Sequence, residues 1–250
     1  KTNAKEPGHS PRLLDTFNGC WYDKHKRGGK LVLRYKCLVL DHDDTVVQSE
    51  KTLGYPYFRD FLRSIRPDIT LTLADYVKGC HEMPFVDMCR MKWQFTDDEL
   101  QAEWDGWKEY ILTHIPEPYE GIDRIIRRQK AGGGLICVAS LSGAQSITRD
   151  YLTHFGVEPD AIYGWDLPKD QQKPGPYPVL DFMDRHQLKP EEVLVVDDMK
   201  LGWRMARAAG AQIAFSSWSK ADFPELTEEM RLLCDFSFDN PAELERFLFD

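Results

Sequence analysis

Short apolar runs alternate with helical patterns along most of the 250-residue chain. Residues 31–40 (LVLRYKCLVL), 135–139 (LICVA), 161–163 (AIY), 193–196 (VLVV) and 213–215 (IAF) are brief and rich in Val, Ile and Leu. A strand buried on both faces needs such a run, because neither face can carry solvated side chains. Helical periodicity lies between the runs, around 121–130, 144–155, 178–187 and 200–209. Gly156 and Gly210 stand at the ends of two of these segments, where a left-handed cap residue belongs. Asn240-Pro241-Ala242-Glu243 supplies an N-cap, a first-turn proline and a capping acid for a last helix. The alternation predicts an α/β fold with a doubly wound, Rossmann-like parallel sheet.

Residues 48–119 break the alternation. They contain helical patterns but no convincing strand, and the clearest opens with a capping box, Thr96-Asp97-Asp98-Glu99. Its apolar face runs Leu100, Trp104, Trp107, Ile111, a spacing that makes the tryptophans packing residues. The block reads as a helical cap inserted into a core made of 31–47 and 120–250. Residues 1–30 are polar and carry the basic stretch Lys24-His25-Lys26-Arg27; seven Lys and Arg against three Asp and Glu give this segment +4. It is expected to be a solvated tail.

Composition narrows the function classes. Hydrophobic residues at 42% and charged residues at 29% are ordinary for a globular protein with a real core. The net charge of −9 argues against a nucleic-acid binder, which needs positive surface to displace counterions. No apolar run approaches the roughly 18 residues of a membrane span, and no charged-then-apolar leader opens the chain. The six cysteines form no Cys-x-x-Cys pair, and Cys37 and Cys137 sit inside apolar runs as small hydrophobes. A reducing, cytoplasmic setting without membrane or nucleic-acid partners is the expectation.

Candidate chemistry falls at the strand ends. The first strand ends in Asp41-His42-Asp43-Asp44-Thr45, the second in Ser140-Leu141-Ser142, and the strand from Val193 in Asp197-Asp198. In a doubly wound sheet the carboxyl ends of the strands share one rim, and the ligand crevice lies there. A single acid after a strand is usually a turn residue or N-cap. An Asp-x-Asp and an Asp-Asp brought to one rim, however, repel one another unless a cation sits among them. Oxygen donors without histidine or thiolate point to Mg²⁺, which keeps open positions for phosphate oxygens. Ser140, with Ser142 as its rival, and Lys173 in the loop Gln172-Lys173-Pro174 are the candidates to hold the phosphate.

At these residues the sequence resembles the haloacid dehalogenase superfamily, in its phosphoglycolate phosphatase and β-phosphoglucomutase-like branch. Asp41-His42-Asp43-Asp44-Thr45 matches the first family motif, Ser140 the second, Lys173-Pro174 the third, and Asp197-Asp198 through Gly202 the fourth. The resemblance covers roughly 36–250 and is weak through the cap. It implies that Asp41 is a nucleophile forming an aspartyl-phosphate, and that Asp43 is the acid and base for leaving group and water. It implies Mg²⁺ held by Asp41, the Asp43 carbonyl and Asp198, with Asp197 beside it, and a phosphoryl group held by Ser140 and Lys173. Asp44 departs from the family's glycine, although Asp tolerates unusual backbone angles. His42 stands in place of an apolar residue, Gln48 in place of a common Asp, and Leu141 in place of a polar residue.

The expected function is hydrolysis of a small phosphorylated metabolite. Asp43 argues against a dehalogenase, which needs no second aspartate. It also argues against a phosphonatase, which has a small residue there and uses a cap lysine, despite Lys78 and Lys92. A phosphomutase shares every core residue, and a non-catalytic phosphate binder on the same scaffold is the alternative from another class. His42, His81 and Arg90 are named as substrate contacts, the last two from the cap; the pattern leaves oligomeric state open.

Overall fold

A computed structural model describes residues 33–250. The expected tail over 1–30, Cys20 and the first two residues of the 31–40 run lie outside the described residues. Among the described residues six strands form one sheet: β1 (Cys37–Leu40), β2 (Leu135–Ala139), β3 (Ala161–Tyr163), β4 (Val193–Asp197), β5 (Gln212–Ser216) and β6 (Phe236–Phe238). Their order is β3-β2-β1-β4-β5-β6, and every pairing is parallel. The doubly wound α/β reading holds.

The apolar runs follow from burial on both faces. Leu38, Leu40, Ile136, Val138, Leu194 and Val196 face one way, against Ile125, Ile147, Tyr151 and Leu244. Cys37, Val39, Cys137, Val193 and Val195 face the other, against Val179, Phe182 and Met205. Cys37 and Cys137 are fully buried, and burial pushes both thiols far above their ordinary range, as small hydrophobes require. The helices that cover these faces are α5 (Ile122–Ala131), α6 (Ala144–Phe155), α7 (Tyr177–His186), α8 (Lys200–Ala209) and α10 (Pro241–Phe249). Gly156 and Gly210 take the left-handed conformation after α6 and α8, and the Asn240 side chain caps α10 by accepting from the Glu243 N–H.

The structure departs from the sequence pattern at three places. β1 starts only at Cys37; before it the Arg34 side chain lies over the Phe247 ring and the Tyr35 hydroxyl donates to the Gln212 side chain. The edge strand β6 is three half-buried residues, too short to carry a period. Helix α9 (Pro224–Leu233) is half polar and buries only Leu226, Thr227 and Met230.

Between β1 and α5 the chain forms a wide helical turn (Glu50–Gly54) and four helices: α1 (Tyr55–Ile65), α2 (Leu73–Glu82), α3 (Phe85–Trp93) and α4 (Asp97–Thr113). They share a cluster built on Phe58, Leu62, Met88, Trp93 and Phe95, into which α9 and the residue before it add Leu226 and Phe223. Both arms of the Thr96–Glu99 capping box form. The outgoing and returning chains run side by side, with the Gln48 N–H donating to Glu117 and the Tyr119 N–H to Val46. Among the described residues no helix is long and apolar enough to cross a membrane.

Candidate active site

Strand register builds the site. Leu40 is level with Val138 on one side and Val196 on the other, so one residue further on Asp41 stands beside Asp197 at the carboxyl rim. The Asp41 N–H donates to the Val196 carbonyl at 2.9 Å and fixes that position. Carboxylate oxygens of Asp41, Asp197 and Asp198 lie within 4.8 Å of one another, and all three residues are buried. Lys173 reaches in from the loop before α7, 3.0 Å from Asp41 Oδ1 and 2.6 Å from Asp197 Oδ2.

The fourth motif's glycine has a steric reason. A Cβ on Gly202 would stand 1.9 Å from Asp197 Oδ2, so only glycine lets the first turn of α8 pass this carboxylate. The Met199 N–H completes the setting of Asp197 by donating to Oδ1 at 2.9 Å.

Asp43 is half-buried, unlike Asp41, Asp197 and Asp198, and it faces a cavity above the rim. Ser142 and Ser140 both donate to its Oδ2, at 2.6 and 3.2 Å, while Ser140 Oγ accepts from the Ser142 N–H. Of the two serines, Ser142 lines the cavity. The Asp43 carboxylate is therefore turned toward the serines, and the three-acid cluster does not include it.

The turn after the fifth strand contributes a residue that the motifs do not contain. Lys220, 3% exposed on its side chain, lies 2.8 Å from Asp198, 2.5 Å from Glu50 and 3.3 Å from Asp44. Asp44 occupies the family's glycine slot at φ +59°, and its carboxylate also accepts the Glu50 N–H. Its departure from glycine thus has a partner. The signal was position alone: the loop after β5 shares the rim with the loops after β1 and β4.

Electrostatics leaves this region short of positive charge. Six carboxylates (Asp41, Asp43, Asp44, Glu50, Asp197, Asp198) meet two buried ammonium groups. Burial raises the Asp41 carboxyl well above its ordinary range; Lys173 opposes the rise, and Asp197, Asp198 and Asp43 add to it. Burial also pushes Asp197 up to about 6 against the pull of Lys173. Burial disfavours the Lys173 charge, but Asp197 and Asp41 outweigh it and hold the ammonium above the usual lysine range. Asp198, Glu50 and Asp44 do the same for Lys220. Asp198 Oδ1 is buried with no hydrogen-bond partner among the described residues. An orphaned carboxylate oxygen in an all-oxygen cluster short of cations fits a hard divalent metal ion.

Three expected substrate residues are placed elsewhere. His42 is buried below the rim, 3.1 Å from Asp150 and stacked on Tyr151, because a side chain between Asp41 and Asp43 points to the opposite side of the turn. His81 is buried against Glu229 of α9 at 3.4 Å, and burial lowers its pKa. Arg90 is exposed and pairs with Asp97. None of the three lines the cavity; Trp104 and Trp107, expected to pack in a core, do line it.

A family model for haloacid dehalogenase-like hydrolases matches residues 38–215. Among solved structures the chain is similar to a Bacteroides fragilis protein classed with those hydrolases (19% identity, TM-score 0.71, covering 84% of this chain and 99% of that one). It is also similar to CbbY of Rhodobacter sphaeroides in complex with xylulose-1,5-bisphosphate (17%, TM-score 0.66, 84% and 96%). A third is a HAD family hydrolase of Deinococcus radiodurans with bound phosphate and sodium (17%, TM-score 0.66, 84% and 93%). Among curated proteins no sequence match is found.

Proposed function

The chain belongs to the haloacid dehalogenase-like hydrolases, and from that premise we propose that it is a Mg²⁺-dependent phosphomonoesterase acting on a small phosphorylated metabolite. One observation carries the reading: Asp41, Asp197 and Asp198 converge beside Lys173, and Asp198 keeps an oxygen without a partner. The phosphate and phosphate ester bound by the relatives from D. radiodurans and R. sphaeroides are the corresponding ligand class.

Asp41, Asp198 and Asp197 would hold the metal, with the Asp43 carbonyl available as a further ligand. When bound, Mg²⁺ supplies positive charge that keeps the carboxylates ionised and draws phosphate oxygens to the rim. The Asp41 carboxylate attacks phosphorus, the P–O bond to the leaving group breaks, and Asp43 gives its proton to the departing alkoxide. The ionised Asp43 then takes a proton from water, whose oxygen attacks the aspartyl-phosphate and frees Asp41 and inorganic phosphate. Lys173 and the serine hydroxyls neutralise and orient the transferring oxygens. Helices α1–α4 act as the cap that shields this exchange from bulk water.

The cavity favours hydrolysis over mutase chemistry. Among the described residues no Lys, Arg or His lines it, and these walls offer no counter-charge to the second phosphate of a sugar bisphosphate. The test is phosphate release from a panel of monoesters, with Mg²⁺ and with chelator, for the wild type and Asp41→Asn. Metal-dependent release that disappears in the variant is expected. Release at the wild-type level in Asp41→Asn would exclude the covalent mechanism, and a folded protein inert toward the whole panel would point to a non-catalytic binder.

A further inference from the structure

We propose that the cavity above the acids seats a positively charged leaving group, so that the substrates are phosphate monoesters of small amino- or quaternary-ammonium alcohols. The inference deepens the phosphomonoesterase reading and rests on it.

The cavity holds about 240 Å³, which limits the leaving group to a small molecule. Tyr57 and Tyr76 from α1 and α2, Trp104 and Trp107 from α4, and Trp165 from the loop after β3 supply aromatic surface to its wall. Trp104 meets Trp165 edge-to-face with centroids 4.4 Å apart, so the wall is continuous from the helical block to the sheet. Tyr57 packs 5.3 Å from Trp107 and donates its hydroxyl to the Glu103 carbonyl at 2.9 Å. A Cβ on Gly106 would stand 2.3 Å from that hydroxyl oxygen, so glycine here admits the tyrosine. Aromatic faces carry partial negative charge and attract cations.

Glu103 places a carboxyl group on the same wall. It is 6% exposed, and its carboxylate accepts no hydrogen bond among the described residues. The other acids of the cavity are engaged: Asp43 with the serines, and Asp44, Glu50 and Asp198 with Lys220. A buried carboxylate without a partner is costly, and burial raises this one to about 7. An anionic leaving group would be repelled by its ionised form, and a neutral apolar one would leave it unpaired, whereas a cation also stabilises that ionised form. A cation satisfies Glu103 and the rings together.

Two pairs of esters isolate the charge. Phosphocholine and 3,3-dimethylbutyl phosphate share a shape and differ by the cationic centre, as do phosphoethanolamine and propyl phosphate. With the Mg²⁺-loaded full chain, kcat/KM for the cationic member of at least one pair should exceed that of its neutral partner by ~10-fold or more. Glu103→Gln should remove most of that ratio, and Trp107→Leu should narrow it. Neutral esters cleaved as well as cationic ones in both pairs, or a ratio unchanged in Glu103→Gln, would overturn the proposal. Binding of choline against 3,3-dimethylbutanol, read by tryptophan fluorescence, separates this inference from the one beneath it. Preferred choline binding without phosphate release from any ester would uphold the cavity and refute the phosphatase. Phosphate release without charge discrimination would refute the cavity reading and uphold the phosphatase.

Discussion

Replacing Lys220 with methionine tests whether one ammonium group holds three loops together. The side chain is 3% exposed and lies within 3.3 Å of Asp44, Glu50 and Asp198, which come from the ends of β1 and β4 and the start of the helical block. Methionine keeps most of the volume and leaves those carboxylates without their shared cation. Breaking a buried ion pair on one side costs about 3–5 kcal/mol. For a chain of this size each kcal/mol lowers the melting temperature by roughly 2–4 °C, so the expected drop is roughly 6–20 °C. Thermal unfolding followed by circular dichroism, in chelator so that no bound cation stands in for the ammonium, reads it directly. Asp44→Gly supplies the second arm of a cycle, since glycine accepts the φ of +59° at no steric cost and removes one stranded carboxylate. The double variant should recover part of the loss, with a coupling of about 1 kcal/mol or more. A drop below ~2 °C for Lys220→Met, or strictly additive single effects, would refute the reasoning.

Gly202→Ala should cost about 1–3 kcal/mol and lower phosphate release, because its methyl must displace Asp197 from Lys173; melting and turnover measured together check both. Glu103→Gln should change the pH dependence of stability. The Glu103 carboxyl is raised from 4.5 to about 7, so the folded chain keeps a proton that the unfolded chain releases, and that contribution is full below pH 4.5 and lost as pH rises through 7. Urea unfolding should then find the variant close to wild type near pH 4.5 and more stable by about 3 kcal/mol at pH 8, and equal stability at pH 8 would count against it. Ser140→Ala strands both the Ser142 N–H and part of the Asp43 bonding, whereas Ser142→Ala strands only the latter. The first should therefore be the less stable by ~1 kcal/mol in the same assay.

The sheet was legible because its strands are buried on both faces, which leaves an apolar run with no competing period. β2 and β3 fall where the runs do. β6 and α9 escaped for different reasons, one too short to show a period and the other a ten-residue helix that buries only three side chains. The acids were legible because the chain places them directly after strands, and parallel strands end together. Lys220 was not, since its partners come from three segments and only the fold brings them to it. The cavity wall was hidden in the same way: Trp104 has packing spacing on α4, but the face it occupies is shared with Trp165 from a distant loop. His42 shows the limit of composition as a guide, because an imidazole beside two catalytic candidates is turned by the backbone toward Asp150.

The side-by-side departure and return at Val46–Gln48 and Glu117–Tyr119 has a consequence for how such a chain can change over generations. Two neighbouring hydrogen bonds close the excursion and fix where the segment leaves and rejoins the sheet, while the Lys220–Glu50 pair and the packing of Phe223 and Leu226 tie what lies between to the loop after β5 and to α9. Closure entropy grows only with the logarithm of length, and doubling the insert would cost about 0.6 kcal/mol. Exchange of the segment therefore leaves strand register in place, provided the replacement keeps a partner for Lys220 and a cover for Phe223 and Leu226. The junction works as a socket: the chemistry below it can be inherited unchanged while the chamber above it is replaced.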